Sequence, residues 1–151
     1  MNFIITGEIK PYVRMTRRGK WGSPQAQEYL ASKAAIQMQL KEQMRGRERL
    51  GRVPIQVRIF ISVADRLHTK DLDNQTKSLM DACNGIVWDD DRWVDCIEVK
   101  RGMRDEEPEN RAWLTAEFWG MVDDPRNLDA LKEALEIEQQ ARYTSDFEDM
   151  G

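Results

Sequence analysis

The segment from Pro54 to Val63, PIQVRIFISV, constrains the fold more than any other part of the chain. Its aliphatic residues recur at every second position, and residues such as Gln56 and Arg58 fall between them. This alternation predicts a β-strand with one apolar face and one more polar face. Because the apolar face has to be buried, the strand calls for a sheet that is covered on one side.

A long helix is predicted to precede this strand. Ser23 is its expected N-cap, Pro24 occupies its first helical position, and Gly46 or Gly51 ends it. Residues at helical spacing predict its buried stripe, which comprises Tyr29, Leu30, Ala34 and Met38 and ends near Lys41, with Ile36 and Leu40 beside it.

A shorter helix, of about three turns, is predicted after the strand. Asp73 or Asn74 is its expected N-cap, and Gly85 lies just past its end. Its buried side is predicted to contain Leu79, Met80 and Cys83.

Further strands are predicted over Phe3–Ile9, Trp93–Arg101 and Arg111–Trp119, with the last two paired as an antiparallel hairpin. The order β, α, β, α, β, β indicates the α+β class, a small mixed β-sheet with two main helices packed on it. Residues 1–120 are expected to form this domain. Residues 121–151 are expected to form an acidic helical C-terminal extension with a disordered end.

Charge is strongly polarised along the chain. Residues 1–58 carry 12 Lys and Arg against 4 Asp and Glu, whereas residues 105–151 carry 4 against 14. A basic N-terminal third beside an acidic cluster indicates a surface that attracts phosphates and a pocket that binds metal. The simpler interpretation, that the basic residues form a solvated helix end, applies to Arg45, Arg47, Arg49 and Arg52.

Acidic residues lie on both sides of the shorter helix, in DLDN (71–74) and WDDD (88–91). On an extended approach to the helix, Asp71 and Asp73 are expected to point the same way, while Leu72 points into the fold. Two carboxylates suit a hard divalent cation such as Mg²⁺, which prefers oxygen ligands. A second segment offers a third ligand, at Asp89, Asp90 or Asp91.

Two other classes of protein are disfavoured by the sequence. No apolar run approaches the ~20 residues that cross a bilayer, and the N-terminus lacks the pattern of a signal peptide, so we expect a cytoplasmic protein. Cys83 and Cys96 are the only cysteines and have neither disulfide nor zinc-site spacing. Both are expected to be packing residues.

The motifs resemble those of the RusA-type Holliday junction resolvases, endonucleases that are common in prophages. The resemblance rests on GxxxPYVR near the N-terminus, on DLDNxxKxxxDACNG, and on WDDDRWV followed by a strand that ends in lysine. It spans roughly residues 3–119 and is strongest between Lys70 and Lys100.

The resemblance implies roles for individual residues. The family's paired aspartates fall on Asp71 and Asp73, its catalytic lysine on Lys77, and its later acidic ligand on Asp91, with Asp90 as the alternative ligand. Contacts to DNA are expected from Arg14, Arg17, Arg18, Lys20, Lys70 and Asn74, with Trp21 as a stacking group.

The implied protein is a homodimer that nicks four-way DNA junctions symmetrically, with Mg²⁺ as cofactor and Mn²⁺ as its substitute. It would work in the cytoplasm, that of the host cell if a phage encodes it. Two rival functions stay open: a catalytically silent protein that binds branched DNA, and another metal-dependent enzyme with an Asp-x-Asp motif.

Several motif residues also have simpler interpretations. Asp73 as a mere N-cap would contribute about 1 kcal/mol to helix stability, but that leaves Asp71 and Asp91 unexplained. Asp81 is expected to be a solvated helix residue and Asp89 a loop residue. The single histidine, His68, lies outside the motif and is disfavoured as a general base.

Overall fold

The computed structural model describes residues 1–14, 23–64, 70–102, 109–119 and 136. Within them, one mixed sheet is formed by β1 (Asn2–Thr6), β2 (Ile55–Ser62), β3 (Val94–Gly102) and β4 (Arg111–Phe118). The strand order is β1-β4-β2-β3; β2 is parallel to β3, and β4 is antiparallel to β1 and β2. The helices are α1 (Pro24–Gln43) and α2 (Leu72–Cys83). The predicted α+β class is confirmed.

The alternation predicted for β2 is confirmed. Its four inward aliphatic residues are at most 3% exposed, and they are Ile55, Val57, Ile59 and Ile61. Leu40 of α1 and Leu79 of α2 belong to the same hydrophobic cluster as these residues. Both helices therefore cover the same face of the sheet, while Arg58 on the other face of β2 is exposed.

The predicted hairpin of the last two strands is wrong. β2 lies between β3 and β4 and pairs with both of them. A strand as deeply buried as β2 needs partners for its backbone N–H and C=O groups along both edges. Helix α2, which connects β2 to β3, is a crossover of the kind that parallel strands require. The end of β3 and the start of β4 pair with Ser62 from opposite sides, so these two strands lie two strand spacings, about 10 Å, apart.

The N-cap predicted at the start of α1 is confirmed, because the Ser23 hydroxyl accepts a hydrogen bond from the Ala26 N–H at 3.2 Å. Of the predicted apolar stripe, only Tyr29 is buried, together with Ile36 and Leu40, the two residues predicted beside the stripe. The other members of the stripe, Leu30, Ala34, Met38 and Lys41, are exposed, so the predicted centre of the buried face is wrong. Ala34 and Met38 each lie two positions before a buried residue, and two positions correspond to about 200° around a helix.

Side chains of α1 close the outer edge of β1. The Gln43 amide accepts a hydrogen bond from the Ile4 N–H at 2.9 Å and donates one to the Ile4 carbonyl at 2.7 Å. Gln39 makes the same pair of bonds with Thr6, at 2.8 and 2.9 Å. Each glutamine side chain thus makes the two hydrogen bonds that a residue of a neighbouring strand would make. An unpaired edge would otherwise be a template for pairing with another chain.

The chain divides into two compact units, Met1–Phe118 and Trp119–Gly151. Nearly all of the second unit lies outside the described residues. The predicted boundary at residue 120 and the acidic helical extension over 121–151 therefore stay predictions. No helix in the described part of the chain has the length and apolar character that a bilayer crossing requires.

Replacing both edge glutamines, by Gln39→Ala with Gln43→Ala, is expected to lower the free energy of unfolding by about 1–2 kcal/mol, because four exposed hydrogen bonds with the β1 backbone and one with the Thr6 hydroxyl are lost. The variant should also aggregate faster, since the β1 edge is uncovered. Urea denaturation and light scattering measure the two effects. The matched control is Gln25→Ala with Gln27→Ala, two exposed positions of α1. If the two double variants had equal stability and equal aggregation rates, Gln39 and Gln43 would not protect the β1 edge.

Candidate active site

Helix α2 begins inside the acidic motif. Asp71 is its N-cap, with φ −59° and ψ 132°, and its side chain makes no capping hydrogen bond. The cap predicted at Asp73 or Asn74 is therefore wrong. Asp73 already lies in the first helical turn. Alternate side chains point the same way only in an extended segment, so the expected common direction of Asp71 and Asp73 does not apply here. Leu72 between them packs against the core, as predicted.

Lys77 lies one turn after Asp73 on the same side of α2. Its Nζ is 3.6 Å from Oδ2 of Asp73, and both side chains are well exposed. An exposed pair of this kind contributes only about 0.3–0.5 kcal/mol. The ammonium group can therefore leave Asp73 for a bound anion at little cost.

A buried tryptophan anchors the second acidic segment. The Trp88 side chain is fully buried, and its indole N–H donates to Oδ1 of Asn84 at 2.7 Å. Asp89, the next residue, pairs with Arg49, whose Nε lies 2.6 Å from Oδ1. Asp89 is thus tied to the segment that follows α1.

The next two aspartates differ in their surroundings. Oδ1 of Asp90 accepts a hydrogen bond from the Arg92 backbone N–H at 3.0 Å and caps a short 3₁₀ turn, Asp91–Trp93. This bond is the main reason that the pKa of the Asp90 carboxyl lies below its ordinary value. The charged carboxylate, the stronger acceptor, is therefore present at neutral pH, and the bond weakens as the pH falls through that lowered pKa. Asp91 instead lines a cavity.

This cavity has a volume of about 430 Å³, and its walls include Tyr12, Lys77, Met80, Asp81, Asp91 and Ile97. It brings Lys77 from α2 and Asp91 from the approach to β3 to one space. Asp71 and Asp73 are not among its lining residues. A second cavity of about 330 Å³ involves Arg58 and Phe60 and contains none of the motif aspartates.

The acidic residues suit a divalent cation by their chemistry, because exposed carboxylate oxygens are the ligands that Mg²⁺ prefers. Within the described ranges, however, no three acidic, histidine or cysteine side chains are grouped to hold a metal ion. Shared ligation by Asp71, Asp73 and Asp91 therefore stays a prediction. Mg²⁺ commonly takes only one or two carboxylates from a protein, with water and substrate phosphate supplying the other ligands.

Buried polar side chains of α2 hold the segment that leads to Arg14. Gln75 donates to the Ile9 carbonyl at 3.2 Å, and the Ser78 hydroxyl donates to the Lys10 carbonyl at 2.6 Å. Both side chains are 3% exposed. Neither residue was predicted from the sequence to have this role; the available signal was two polar residues three apart on the apolar side of a short helix.

The residues expected to contact DNA are only partly within the described chain. Arg14 and Lys70 are exposed, and Asn74 is half-buried. The remaining candidates, Arg17, Arg18, Lys20 and Trp21, lie outside the described residues, as does His68.

Asp81 is not the solvated residue that the sequence predicted. Its Oδ2 accepts a hydrogen bond from the Tyr29 hydroxyl and lies 3.0 Å from Nζ of Lys33. Burial, followed by this contact with Asp81, raises the pKa of Tyr29 above its ordinary range, so the phenol stays protonated and donates. The three side chains join α1 to α2 beside the cavity.

Comparison with known proteins identifies the family. The family model described as endodeoxyribonuclease RusA matches residues 5–112, from β1 into β4, and the match includes all the motif aspartates. No curated protein matches the chain significantly. The family's nucleases are metal-dependent and act on Holliday junctions. The resemblance seen in the sequence is thus confirmed, and the chain belongs to the RusA endodeoxyribonuclease family of Holliday junction resolvases.

Proposed function

We propose that this protein is a Mg²⁺-dependent homodimeric endonuclease that cuts four-way DNA junctions by paired, symmetric nicks, with Mn²⁺ able to replace Mg²⁺. The observation that carries the proposal is the cavity that Lys77 and Asp91 share. It brings together Lys77 of α2 and Asp91 of the second acidic segment, which are separate in the sequence. A cation and a carboxylate are groups of the types that phosphodiester hydrolysis uses.

In the proposed mechanism, Lys77 acts on the substrate phosphate. Its ammonium group stabilises the negative charge that develops on the phosphate or on the departing 3′ oxygen, and it can donate a proton to that oxygen. Asp91, Asp73 and Asp71 are the residues that would hold the ion. When bound, the ion neutralises phosphate charge and lowers the pKa of a water molecule.

The surroundings of Asp90 and Asp91 favour Asp91 as the ligand. One oxygen of Asp90 is engaged by the Arg92 N–H, and this bond caps the turn that begins at Asp91. Asp90 is accordingly assigned a positioning role.

Affinity for DNA is expected to come mainly from cations that contact phosphates, so it should fall steeply with salt. Arg14 and Lys70 are the described candidates, and the unmatched positive charge of residues 1–58 supports the assignment. A dimer provides the two-fold symmetry that paired cuts need. The dimer and a phage origin remain predictions from the resemblance, and the cytoplasmic location remains a prediction from the sequence.

The decisive experiment incubates the protein with a labelled four-way junction and with linear duplex, with and without Mg²⁺. Paired nicks that are confined to the junction and need the metal are the expected result. Binding without nicking would indicate a catalytically silent binder instead. A different Asp-x-Asp enzyme is disfavoured because the connection from β2 to α2 contains no glycine-rich phosphate loop.

Asp91→Asn is expected to reduce nicking at least about 100-fold, since even the outer partners of metal ligands contribute about 10–100-fold. Junction binding without metal should be kept or strengthened, because a negative charge near phosphate is removed. Asp90→Asn is the matched control. Its amide oxygen can still accept from the Arg92 N–H, so its nicking rate should stay near that of the wild type. If Asp90→Asn slowed nicking more than Asp91→Asn does, Asp90 rather than Asp91 would be the metal ligand.

Lys77→Met is expected to slow single-turnover nicking by about 10²–10³-fold, the typical cost of one lost donor to developing negative charge. Junction affinity should change little, because many other cations contact phosphates. Lys100→Met is the control, since Lys100 is an exposed lysine outside the cavity that Lys77 and Asp91 share. Equal rates for the two variants would show that Lys77 has no part in the chemistry.

A further inference from the structure

The cavity beside Lys77 and Asp91 has an apolar wall that phosphate chemistry does not explain. Six large apolar side chains of the described residues are exposed, and two of them, Tyr12 at 38% and Ile97 at 48%, line this cavity. Met80 lies with them. Apolar side chains that converge in a cleft with a few polar groups are typical of a site for a small organic ligand. The volume of about 430 Å³ is within the range of such sites.

The Tyr12 ring is held in place although much of it is exposed. It packs edge-on against Tyr29, with the ring centroids 5.4 Å apart and the ring planes at 76°. Its backbone N–H donates to the Asn74 carbonyl at 3.2 Å, at the start of α2. A fixed, accessible aromatic ring loses little conformational freedom when a flat ligand stacks on it.

Asp81 supplies a polar group to the same cavity. Tyr29 and Lys33 both contact its Oδ2. A carboxylate oxygen has two acceptor lone pairs, so Oδ1 of Asp81 is a group that can accept a hydrogen bond from a ligand. The carboxylate is thus positioned through Oδ2 by two partners of α1.

We propose that Tyr12, Met80, Asp81 and Ile97 form a base pocket, which receives the unpaired base of a nucleotide next to the cleaved phosphate. The proposal rests on the proposed nuclease function, because Lys77 and Asp91 at the wall of the pocket fix where that phosphate lies. The base stacks on the Tyr12 ring, and an N–H of its pairing edge donates to Oδ1 of Asp81. No covalent step is involved.

This pocket would select the structure of the DNA rather than its sequence. In a duplex, the pairing edge of every base is occupied, and extracting a base costs unstacking and unpairing energy. That cost is smaller where part of the stacking is already lost, as at a branch point, where the continuous stack of a duplex is interrupted. The pocket therefore favours junctions over linear duplex.

The test measures binding without divalent metal, so that no cleavage occurs. Single abasic sites are placed in turn at the nucleotides around the branch point of a four-way junction. At one position, the wild-type protein is expected to bind the abasic junction about tenfold more weakly than the intact one, the typical effect of one stacked base. Affinity that is the same at every position would overturn the base pocket.

Tyr12→Leu tests whether Tyr12 makes this contact. It should bind the intact junction about tenfold more weakly, and the abasic site should cause no further loss, because both changes remove the same interaction. Phe118→Leu is the matched control, since Phe118 is an aromatic residue that is 52% exposed and lies outside the cavity. It should retain the full sensitivity to the abasic site. If the abasic site weakened binding by Tyr12→Leu as much as it weakens binding by the wild type, the assignment of Tyr12 to this contact would be overturned.

Ile97→Ala repeats the test in case Tyr12→Leu fails to fold. This side chain is about half exposed, so its truncation spares the core, and it should also reduce the sensitivity to the abasic site. Nicking assays separate the two proposals. If junctions are nicked in Mg²⁺ but abasic sites have no effect on binding, the base pocket alone is refuted. If abasic sites weaken binding in a way that depends on Tyr12 but no junction is nicked, the nuclease function alone is refuted.

Discussion

Burial of the aliphatic face of β2 is the constraint on which the other elements depend. β2 pairs along both edges, and residues of both helices join its side chains in a single hydrophobic cluster. With both helices on one face, α2 crosses that face on the way from β2 to the neighbouring parallel strand β3. Lys77 lies on this crossing, and Asp91 lies where the chain leaves it to enter β3. The shared cavity of Lys77 and Asp91 is a result of this path.

Helix α2 serves the core and the site with different faces. Leu79 and Cys83 are fully buried, and burial raises the pKa of the Cys83 thiol above its ordinary range, which suits a packing residue. Asp73 and Lys77 lie on an exposed face, one turn apart. A short helix of this kind lets the hydrophobic core fix the position of charged groups that are themselves well solvated. Those groups remain able to exchange partners when substrate binds.

The sequence was most informative where structure depends on near neighbours. The cap at Ser23, the alternation in β2 and the proximity of Lys77 to Asp73 each follow from spacings of a few residues. The pairing of β3 with β2 did not follow, because partner choice in a sheet depends on the path of the whole chain. The contacts of Asp81 were missed for the same reason: its partners come from α1, about 50 residues away, and no local pattern points to them.

The glutamine contacts along β1 also limit how this sheet can grow. That border is occupied by amide groups of the same chain, so a strand of another molecule can pair with β1 only after the Gln39 and Gln43 side chains are displaced. Each displacement breaks hydrogen bonds that are already formed within the chain, so open-ended stacking of sheets through β1 is opposed.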